Sequence, residues 1–257
     1  MSIKIHPTAL IDSSAKIAEG VTIGPFTIVE NGVRIGKNTK IASHIKIASD
    51  TQIGDECQIF HGAVIGEIPQ DLKFHGEKSK TIIGDRNIIR EFVTIHRGTE
   101  DRKETRIGSD NLLMAYVHVA HDCIVGDHTI LANTVQLGGH VIVDEWAIVG
   151  GMVGVHQFTR IGKHSFVGGG FRCVQNVPPY ILASGEPLKY VGLNLVGLRR
   201  RGFTNATIQQ LKDAYRLIYR SGINIGQAIE QIQSGFELTT EIQEIINFIQ
   251  HSERGIV

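Results

Sequence analysis

The sequence predicts a β-solenoid, built as a parallel β-helix of six-residue repeats, followed by a small α-helical domain. Three observations lead to this prediction. An aliphatic residue recurs at every sixth position, glycine accounts for 29 of the 257 residues, and the six-residue period stops shortly before Pro178 and Pro179. Glycine averages about 7% of residues in proteins, so its excess here indicates a backbone that turns tightly many times.

The six-residue period keeps a single frame. The aliphatic positions form 25 hexads in three blocks, Ile5 to Ile65, Ile83 to Ile95 and Ile107 to Val167. A helix repeats every 3.6 residues and a flat strand every two, so neither element fits a period of six. Three hexads instead form three short strands joined at corners, which gives a triangular coil of about 18 residues with the aliphatic side chains inside and the next coil about 4.8 Å above. The period leaves the hand of the coil open, although right-handed crossovers are the general rule.

Two polar stretches, 67–80 and 100–106, interrupt the frame and lack the aliphatic residue at the expected places. We expect both to leave the coil as loops. Loops on a solenoid are often simple decoration, but binding residues also concentrate in loops. The β-helix is expected to span 1–177 and the helical domain 178–257, with the two prolines marking the boundary.

The helical domain shows three amphipathic segments. Segment 204–222 carries apolar residues at helical spacing, with Thr204 as a candidate N-cap and Gly222 as a stop. Shorter helices are expected at 225–234 and 240–252. The last of these begins with Thr240 and has Gln243 three residues later, which is a capping-box pattern.

Composition excludes several classes of protein. The formal net charge is zero, which argues against a general nucleic-acid binder. The sequence contains no run of about 18 apolar residues, so it predicts no membrane span, and the first ten residues lack a signal-peptide pattern. The three cysteines Cys57, Cys123 and Cys173 are an odd number without a CxxC pair, which favours a reducing cytoplasm over a disulfide framework or a zinc ribbon.

Residues one coil apart stack in a column, and one such column contains His121, Gly139 and Gln157. Neighbouring positions add further polar side chains, namely His118, Asp122, His140 and His156. Adjacent coils bring these groups into a patch about 10 Å tall.

The patch contains the parts of an acid–base site. An imidazole with a reference pKa of about 6.5 can take a hydroxyl proton at neutral pH, and the neighbouring carboxylate of Asp122 can fix the tautomer of His121. Gly139 offers a backbone N–H to a developing oxyanion. No serine or cysteine stands in a nucleophile motif here, so direct transfer is favoured over an acyl-enzyme. The alternative that His121 is a solvated edge residue stays open.

The remaining histidines carry less signal. His96 is left undecided between the site and the surface, and the others are expected at the surface: His6, His44, His61, His75, His128, His164 and His251.

Positive charge is concentrated between residues 189 and 220. Seven cations face one acid, Asp213, and they are Lys189, Arg199, Arg200, Arg201, Lys212, Arg216 and Arg220. The segment is either a solvated helix face or a docking surface for a phosphate or an acidic partner.

Nine strings, in order along nearly the whole chain, resemble the UDP-N-acetylglucosamine acyltransferase family of hexapeptide-repeat transferases. They are QDLK (70–73), TIHRG (94–98), GSDNLLM (108–114), HVAHD (118–122), GGHV (138–141), GGMVGVHQF (150–158), VPPY (177–180), GLRRRGF (197–203) and YRLIYRSG (215–222). The hexapeptide repeat is shared by many transferases, whereas HVAHD together with the C-terminal strings is specific. The resemblance implies the left-handed exception to the crossover rule.

The resemblance also implies roles. The enzyme would move an (R)-3-hydroxyacyl group from acyl carrier protein to the 3-hydroxyl of UDP-N-acetylglucosamine, the first step of lipid A biosynthesis, as a homotrimer with sites between subunits and without a cofactor or a metal. His121 would be the general base, Asp122 its orienting partner and the Gly139 N–H the oxyanion donor. Gly169 would stand where the acyl chain ends. Residues matching substrate-contacting positions are Gln70, Asp71, Lys73, His118, His140, His156 and Gln157 for donor and sugar, and Asn194, Arg200 and Arg201 for the nucleotide.

One residue departs from the family's pattern, and three other kinds of protein are alternatives to this interpretation. Val196 stands where many members carry an acidic residue, which leaves open a 3-amino sugar analogue as the acceptor. The sister N-acyltransferase is expected to have a separate domain before the coil, whereas the hexads begin here at Ile5. A β-helical zinc carbonic anhydrase would use histidine ligands, but it has no use for Asp122 or for a cationic helical segment. A purely structural solenoid explains neither the 67–80 loop nor the histidine cluster.

Overall fold

The structure is a computed structural model that describes residues 2–257. Strands, numbered in chain order, form three sheets that are the faces of a triangular prism. Sheet A contains β1 (Lys4–Ile5), β4 (Thr22–Ile23), β7 (Lys40–Ile41), β10 (Gln58–Ile59), β13 (Ile88–Ile89), β16 (Leu112–Leu113), β19 (Ile130–Leu131), β22 (Ile148–Val149), β25 (Phe166–Val167), β27 (Ile181–Ser184) and β28 (Lys189–Leu193).

Sheets B and C complete the prism. Sheet B contains β2 (Leu10–Ile11), β5 (Ile28–Val29), β8 (Lys46–Ile47), β11 (Val64–Glu67), β14 (Thr94–His96), β17 (His118–Val119), β20 (Gln136–Leu137), β23 (Gly154–Val155) and β26 (Arg172–Cys173). Sheet C contains β3 (Lys16–Ile17), β6 (Arg34–Ile35), β9 (Thr51–Ile53), β12 (Lys80–Ile83), β15 (Glu104–Ile107), β18 (Ile124–Val125), β21 (Ile142–Val143) and β24 (Arg160–Ile161).

The sheets form a left-handed parallel β-helix, as predicted. Every aliphatic residue of the predicted frame lies in a strand, and from Ile23 to Val167 each of them is buried inside the prism. Burial of these side chains, at about 1.5–3 kcal/mol each, stabilises the coil. The first coil is the exception, since Ile5 has no coil beneath it and is 43% exposed.

Both predicted excursions exist, with shifted bounds. The first leaves the coil after Glu67 and returns at Lys80. The second spans 97–103, so the prediction of 100–106 placed it too late. Residues Glu104 and Arg106 are polar but lie in β15, where they point outward while Thr105 and Ile107 are buried, and this alternation is the reason for the error.

The C-terminal part contains α1 (Leu195–Arg200), α2 (Asn205–Arg220), α3 (Ile225–Gly235) and α4 (Thr240–Gln250). Thr204 caps α2 as predicted, and Gly222 follows the helix end with a φ of 77°. Helix α4 begins at Thr240 as predicted, but its N-cap is Thr239, one residue before the predicted capping box, and it ends at Gln250, two residues before the predicted end. Helix α1 and strands β27 and β28, which extend sheet A, were not predicted. One hydrophobic core runs from the prism into the helices.

The expectation that His164 lies at the surface was wrong. Its ring is buried between Trp146 and Tyr180 at the edge where sheets C and A meet, with ring centroids 6.0 Å and 5.7 Å away. Within residues 2–257, no helix is both long enough and apolar enough to span a bilayer.

Candidate active site

The predicted column lies at the edge where sheet B turns into sheet C. His121 follows β17 at this edge, and Gly139 and Gln157 occupy the same place one and two coils further along. Backbone hydrogen bonds join the three coils, from His140 N to His121 O at 3.0 Å and from Phe158 N to Gly139 O at 3.1 Å. The coil geometry therefore brings together residues that are distant in sequence.

His121 and Asp122 form a hydrogen-bonded pair, with 2.8 Å between Nδ1 of the imidazole and Oδ2 of the carboxylate. Asp122 is fully buried. Burial alone would raise the pKa of Asp122, but hydrogen bonds from His121 and from the side chain and backbone of Thr99 outweigh it and hold the pKa at about 2. The carboxylate is thus ionised at neutral pH, and it favours the His121 tautomer that carries its proton on Nδ1.

The other face of His121 is open to substrate. The nearest charged group to Nε2 is Oδ2 of Asp71, which is 3.8 Å away and outside hydrogen-bonding distance. The imidazole lies directly over Gly139, so closely that a Cβ at this position would be 2.6 Å from both Cε1 and Nε2. The Gly139 N–H donates to no acceptor among residues 2–257. An imidazole and an unused backbone donor therefore lie side by side.

Two clefts meet at His121. The larger has a volume of about 540 Å³ and runs along sheet B, and the smaller, of about 240 Å³, lies under the two excursions. They divide the predicted site residues, since Gln70, His118, Gly139 and His156 line the larger and Asp71, Lys73, His140 and Gln157 line the smaller. The arrangement provides room for two substrates that approach the same imidazole from different sides.

Three histidines beside His121, namely His96, His118 and His140, are held neutral. Burial, together with the neighbouring imidazoles of His96 and His121, lowers the pKa of His118 to about 4. Its Nδ1 lies 2.7 Å from the hydroxyl of Thr94. Burial also lowers the pKa values of His96 and His140. These rings serve as neutral hydrogen-bonding groups and not as cations.

Comparison with known proteins agrees with this architecture. A family model described as "Udp N-acetylglucosamine O-acyltransferase; Domain 2" matches residues 176–257, and a model of bacterial transferase hexapeptide repeats matches residues 104–139. The acyl-[acyl-carrier-protein]–UDP-N-acetylglucosamine O-acyltransferase of Thiobacillus denitrificans is 50% identical over 98% of both chains. The protein of the same name from Aliivibrio fischeri is 51% identical over 99% of this chain and 97% of its own.

This chain belongs to the UDP-N-acetylglucosamine O-acyltransferase family. The crystal structure of the UDP-N-acetylglucosamine acyltransferase of Bacteroides fragilis matches with a TM-score of 0.97 at 46% identity, over 98% of this chain and 99% of that one. The family's structure from Acinetobacter baumannii gives 0.96 at 48% identity, over 98% and 99%.

The residues that the O-acyltransferase family resemblance assigns to the nucleotide lie elsewhere on the chain. The side chain of Asn194 caps α1, where it accepts from Gly197 N at 3.2 Å and donates to His164 O at 3.0 Å. The Arg201 guanidinium lies 5.2 Å from the ring centroid of Trp146, at the edge between sheets C and A. His121 lies one full face of the prism away, so a single chain does not bring these groups together. Arg200 is exposed at the end of α1.

Gly169 lies on the third edge, where sheet A turns into sheet B. It is exposed, and it stacks on Gly151 of the previous coil. Sheet B, with the larger cleft, separates Gly169 from His121. This position suits the far end of a chain that starts at His121 and crosses the face.

His121, Asp122 and His140 are close enough to resemble a metal site, because one ligand atom from each lies within 4.8 Å of the others. The hydrogen bonds of Asp122 argue against that use. Its Oδ1 accepts from the backbone N–H groups of Thr99 and Arg102, and its Oδ2 accepts from the Thr99 hydroxyl and from His121. Both carboxylate oxygens therefore already have two donors each, as an orienting group requires.

Sequence reasoning missed or left undecided three residues at this site. His96 lines the larger cleft with its ring 5.0 Å from that of His118. Thr99 and Arg102, on the second excursion, contact Asp122. The position of His96 at the end of a hexad strand, two residues after Thr94, was the only signal that pointed to the cleft. The six-residue period gives no indication of the contacts that the second excursion makes.

Proposed function

We propose that this chain catalyses transfer of an (R)-3-hydroxyacyl group from acyl carrier protein to the 3-hydroxyl of UDP-N-acetylglucosamine, the first step of lipid A biosynthesis. The observation that carries the proposal is the His121–Asp122 pair, whose Nε2 opens onto two clefts beside an unused backbone N–H. The curated relatives at about 50% identity have names that specify this donor, this acceptor and transfer to oxygen. Their names support the hydroxyl acceptor and give no support to the 3-amino or zinc alternatives.

The chemistry follows from the geometry. Asp122 keeps the Nδ1 proton of His121 in place, so the Nε2 lone pair takes the proton of the sugar 3-hydroxyl. The sugar oxygen then attacks the thioester carbonyl, and the negative charge that develops on the carbonyl oxygen is stabilised by the Gly139 N–H. The C–S bond breaks, the thiolate of the carrier's prosthetic group leaves, and His121 returns its proton to that sulfur. The ester is formed without an acyl-enzyme.

Substrate contacts follow the division of the clefts. We place the donor thioester and its acyl chain in the larger cleft, with Gly169 as the end of the chain, and the sugar against the smaller one. Residues proposed to contact donor and sugar are Gln70, Asp71, Lys73, His118, His140, His156 and Gln157. Lys73 and Asp71 project from the first excursion into the smaller cleft.

We further propose that the site is completed by a second copy of the chain in a homotrimer. Asn194, Arg200 and Arg201 lie on a different edge from His121, so they reach a shared nucleotide only across a subunit boundary. The edge between sheets A and B supports such an interface because it exposes a column of large apolar side chains. The column contains Phe26, Phe92, Tyr116 and Met152, which are 43–72% exposed, with His44 and His61 between the two phenylalanines and Thr134 before the methionine.

We propose a cytoplasmic location as well. The three cysteines are all buried free thiols, although the chain is long enough for disulfides. Free thiols are typical of a reducing compartment.

The test is an assay of acyl carrier protein thioesters with UDP-N-acetylglucosamine, followed by mass spectrometry of the product. His121→Ala should lower kcat by about 10²–10⁴, the usual contribution of a general base, without unfolding the protein. His6→Ala, which removes an exposed histidine in the first coil, is the matched control. The proposed base is refuted if His121→Ala retains more than a tenth of the wild-type kcat. Exhaustive chelation should leave the wild-type rate unchanged, since proton transfer and a backbone donor suffice.

A further inference from the structure

The second excursion, 97–103, closes over the Asp122 carboxylate. Thr99 contributes two of its hydrogen bonds, from its backbone N–H to Oδ1 at 2.9 Å and from its hydroxyl to Oδ2 at 2.7 Å. Arg102 adds its backbone N–H to Oδ1 at 3.3 Å, and its guanidinium donates to the backbone oxygen of Asp122 at 2.8 Å. Thr99 is itself buried. The excursion thus supplies donors to both oxygens of the carboxylate.

The excursion is well anchored. At its start, Arg97 donates from Nε to Gly66 O at 2.8 Å and from its backbone N–H to Glu67 O at 3.0 Å. Inside the loop, Lys103 N donates to Thr99 O at 2.8 Å. At Gly98 a Cβ would lie 2.3 Å from Glu104 N, so only glycine allows the two arms of the loop to approach this closely. The position of Thr99 is therefore determined by the fold and does not depend on substrate.

The hydroxyl of Thr99 and Nδ1 of His121 share a single oxygen, Oδ2 of Asp122. A carboxylate oxygen has two lone pairs, so the hydroxyl occupies one and leaves the other for the imidazole. A competitor lies nearby, because Nε2 of His140 is 3.6 Å from the same Oδ2. Without the hydroxyl, the carboxylate can rotate toward His140 and weaken its hold on His121.

We propose that Thr99 is a positioning residue of the acyl transfer, whose hydroxyl fixes the rotation of the Asp122 carboxylate so that Oδ2 accepts from Nδ1 of His121. This inference rests on the proposed function of His121 as the base. It gives a function in catalysis to the second excursion, which interrupts the six-residue period.

The Thr99 hydroxyl also helps to hold the pKa of Asp122 low, against the effect of burial, so it stabilises the ionised carboxylate as well as its rotation. Other charged or titratable groups face the pair and stay unchanged in the experiment: His96, His118, His140, Asp71, Asp101 and Arg102.

The experiment compares Thr99→Val with Thr99→Ser. Valine keeps the shape of the side chain but removes the hydroxyl. We expect kcat to fall about tenfold because the imidazole of His121 is displaced, whereas both KM values should stay within twofold of wild type because the substrate contacts are unchanged. Serine restores the donor and should restore kcat. Thr129→Val is the matched control, since it removes an equally buried hydroxyl that donates to Asn111 Oδ1 at 2.8 Å on another edge.

A second measurement tests the contact between Asp122 and His121 without an activity assay. With ¹⁵N-labelled histidine, the His121 signals, identified by their absence in His121→Ala, should show a smaller share of the neutral tautomer protonated on Nδ1 in Thr99→Val and an unchanged share in Thr129→Val, because the hydrogen bond from Nδ1 to Asp122 fixes that tautomer. Thr99→Cys, with a weaker donor of similar size, replaces valine if that variant does not fold and should show the same direction.

The outcomes separate the two proposals. If Thr99→Val or Thr99→Cys matches wild type in kcat and in the His121 tautomer while His121→Ala is inactive, the inference about Thr99 is overturned and the base stands. An equal fall in Thr99→Val and Thr99→Ser also overturns it, since serine retains the donor. If His121→Ala remains active, the proposed function of His121 fails first.

Discussion

The contact between His121 and Gly139 predicts the effect of the smallest possible substitution at this site. In Gly139→Ala the new methyl carbon would lie 2.6 Å from Cε1 and Nε2 of His121, whereas carbon atoms pack at about 3.5–4.0 Å. The imidazole must therefore retreat by roughly 1 Å, and the 2.8 Å hydrogen bond to Asp122 restricts where it can go. A misplacement of about 1 Å can cost on the order of 10² in rate, so we expect kcat to fall at least about 10²-fold.

The substitution separates two explanations of the glycine. Alanine keeps the backbone N–H, and the backbone of Gly139 lies outside the left-handed region, so the oxyanion donor and the fold survive. The assay is steady-state kinetics with both substrates varied, together with thermal unfolding. Gly192→Ala is the matched control, because a Cβ there meets no atom within 4 Å. If Gly139→Ala retains wild-type kcat, the position of the imidazole over this glycine has no catalytic importance and our account of the site is wrong.

Three further predictions concern the substrates and the assembly. We expect 3-hydroxymyristoyl to be the preferred acyl group of the wild type, and Gly169→Met should shift the preference among ten-, twelve- and fourteen-carbon donors toward shorter chains, because each methylene that can no longer be buried costs about 0.8 kcal/mol. An unchanged preference means that Gly169 does not limit the length of the acyl chain. Reaction rates below donor saturation should fall as the salt concentration rises, because the exposed charges of 189–220 are screened beyond about 8–10 Å, and Arg200→Ala should raise the KM for the sugar nucleotide. Salt-independent rates and an unchanged KM indicate that the 189–220 segment is only a solvated helix face. At a sugar-nucleotide concentration below the KM, co-expressed His121→Ala and Arg200→Ala chains should be faster than the mean of the two separate variants, since mixed trimers contain some sites with both residues intact. A rate equal to that mean indicates that each chain supplies both groups to its own site.

The fold was predictable because one physical requirement repeats. Each hexad must place an aliphatic residue inside the prism, and a register error would expose it, so Ile83 and Ile107 resume the frame after each excursion. The exact ends of the excursions were less predictable. Polar residues such as Glu104 and Arg106 are acceptable on the outward face of a strand as well as in a loop. Strands β27 and β28 lack the period, since β28 pairs antiparallel with β27 and belongs to no coil.

The candidate site was predictable where it follows the period and not elsewhere. The column of His121, Gly139 and Gln157 follows from counting coils. Thr99 reaches Asp122 from 23 positions away through an excursion of irregular conformation, and no spacing rule describes that contact. The separation of Arg201 from His121 was also not visible in the sequence, because it depends on which edge of the prism α1 packs against.

The edge of the prism explains why two adjacent residues can act as a pair. In a strand, consecutive side chains point to opposite faces, so His121 and Asp122 would diverge. At the edge the backbone of Asp122 takes a left-handed conformation, with a φ of 59°, and both side chains turn to the same side. Aspartate tolerates this conformation better than most residues. The same corner conformation recurs one coil later at His140, with a φ of 63°, and places that ring 5.3 Å from His121. The left-handed corners that close each coil therefore also build the proposed catalytic pair. A β-branched residue at position 122 would both strain the coil and remove the proposed partner of His121.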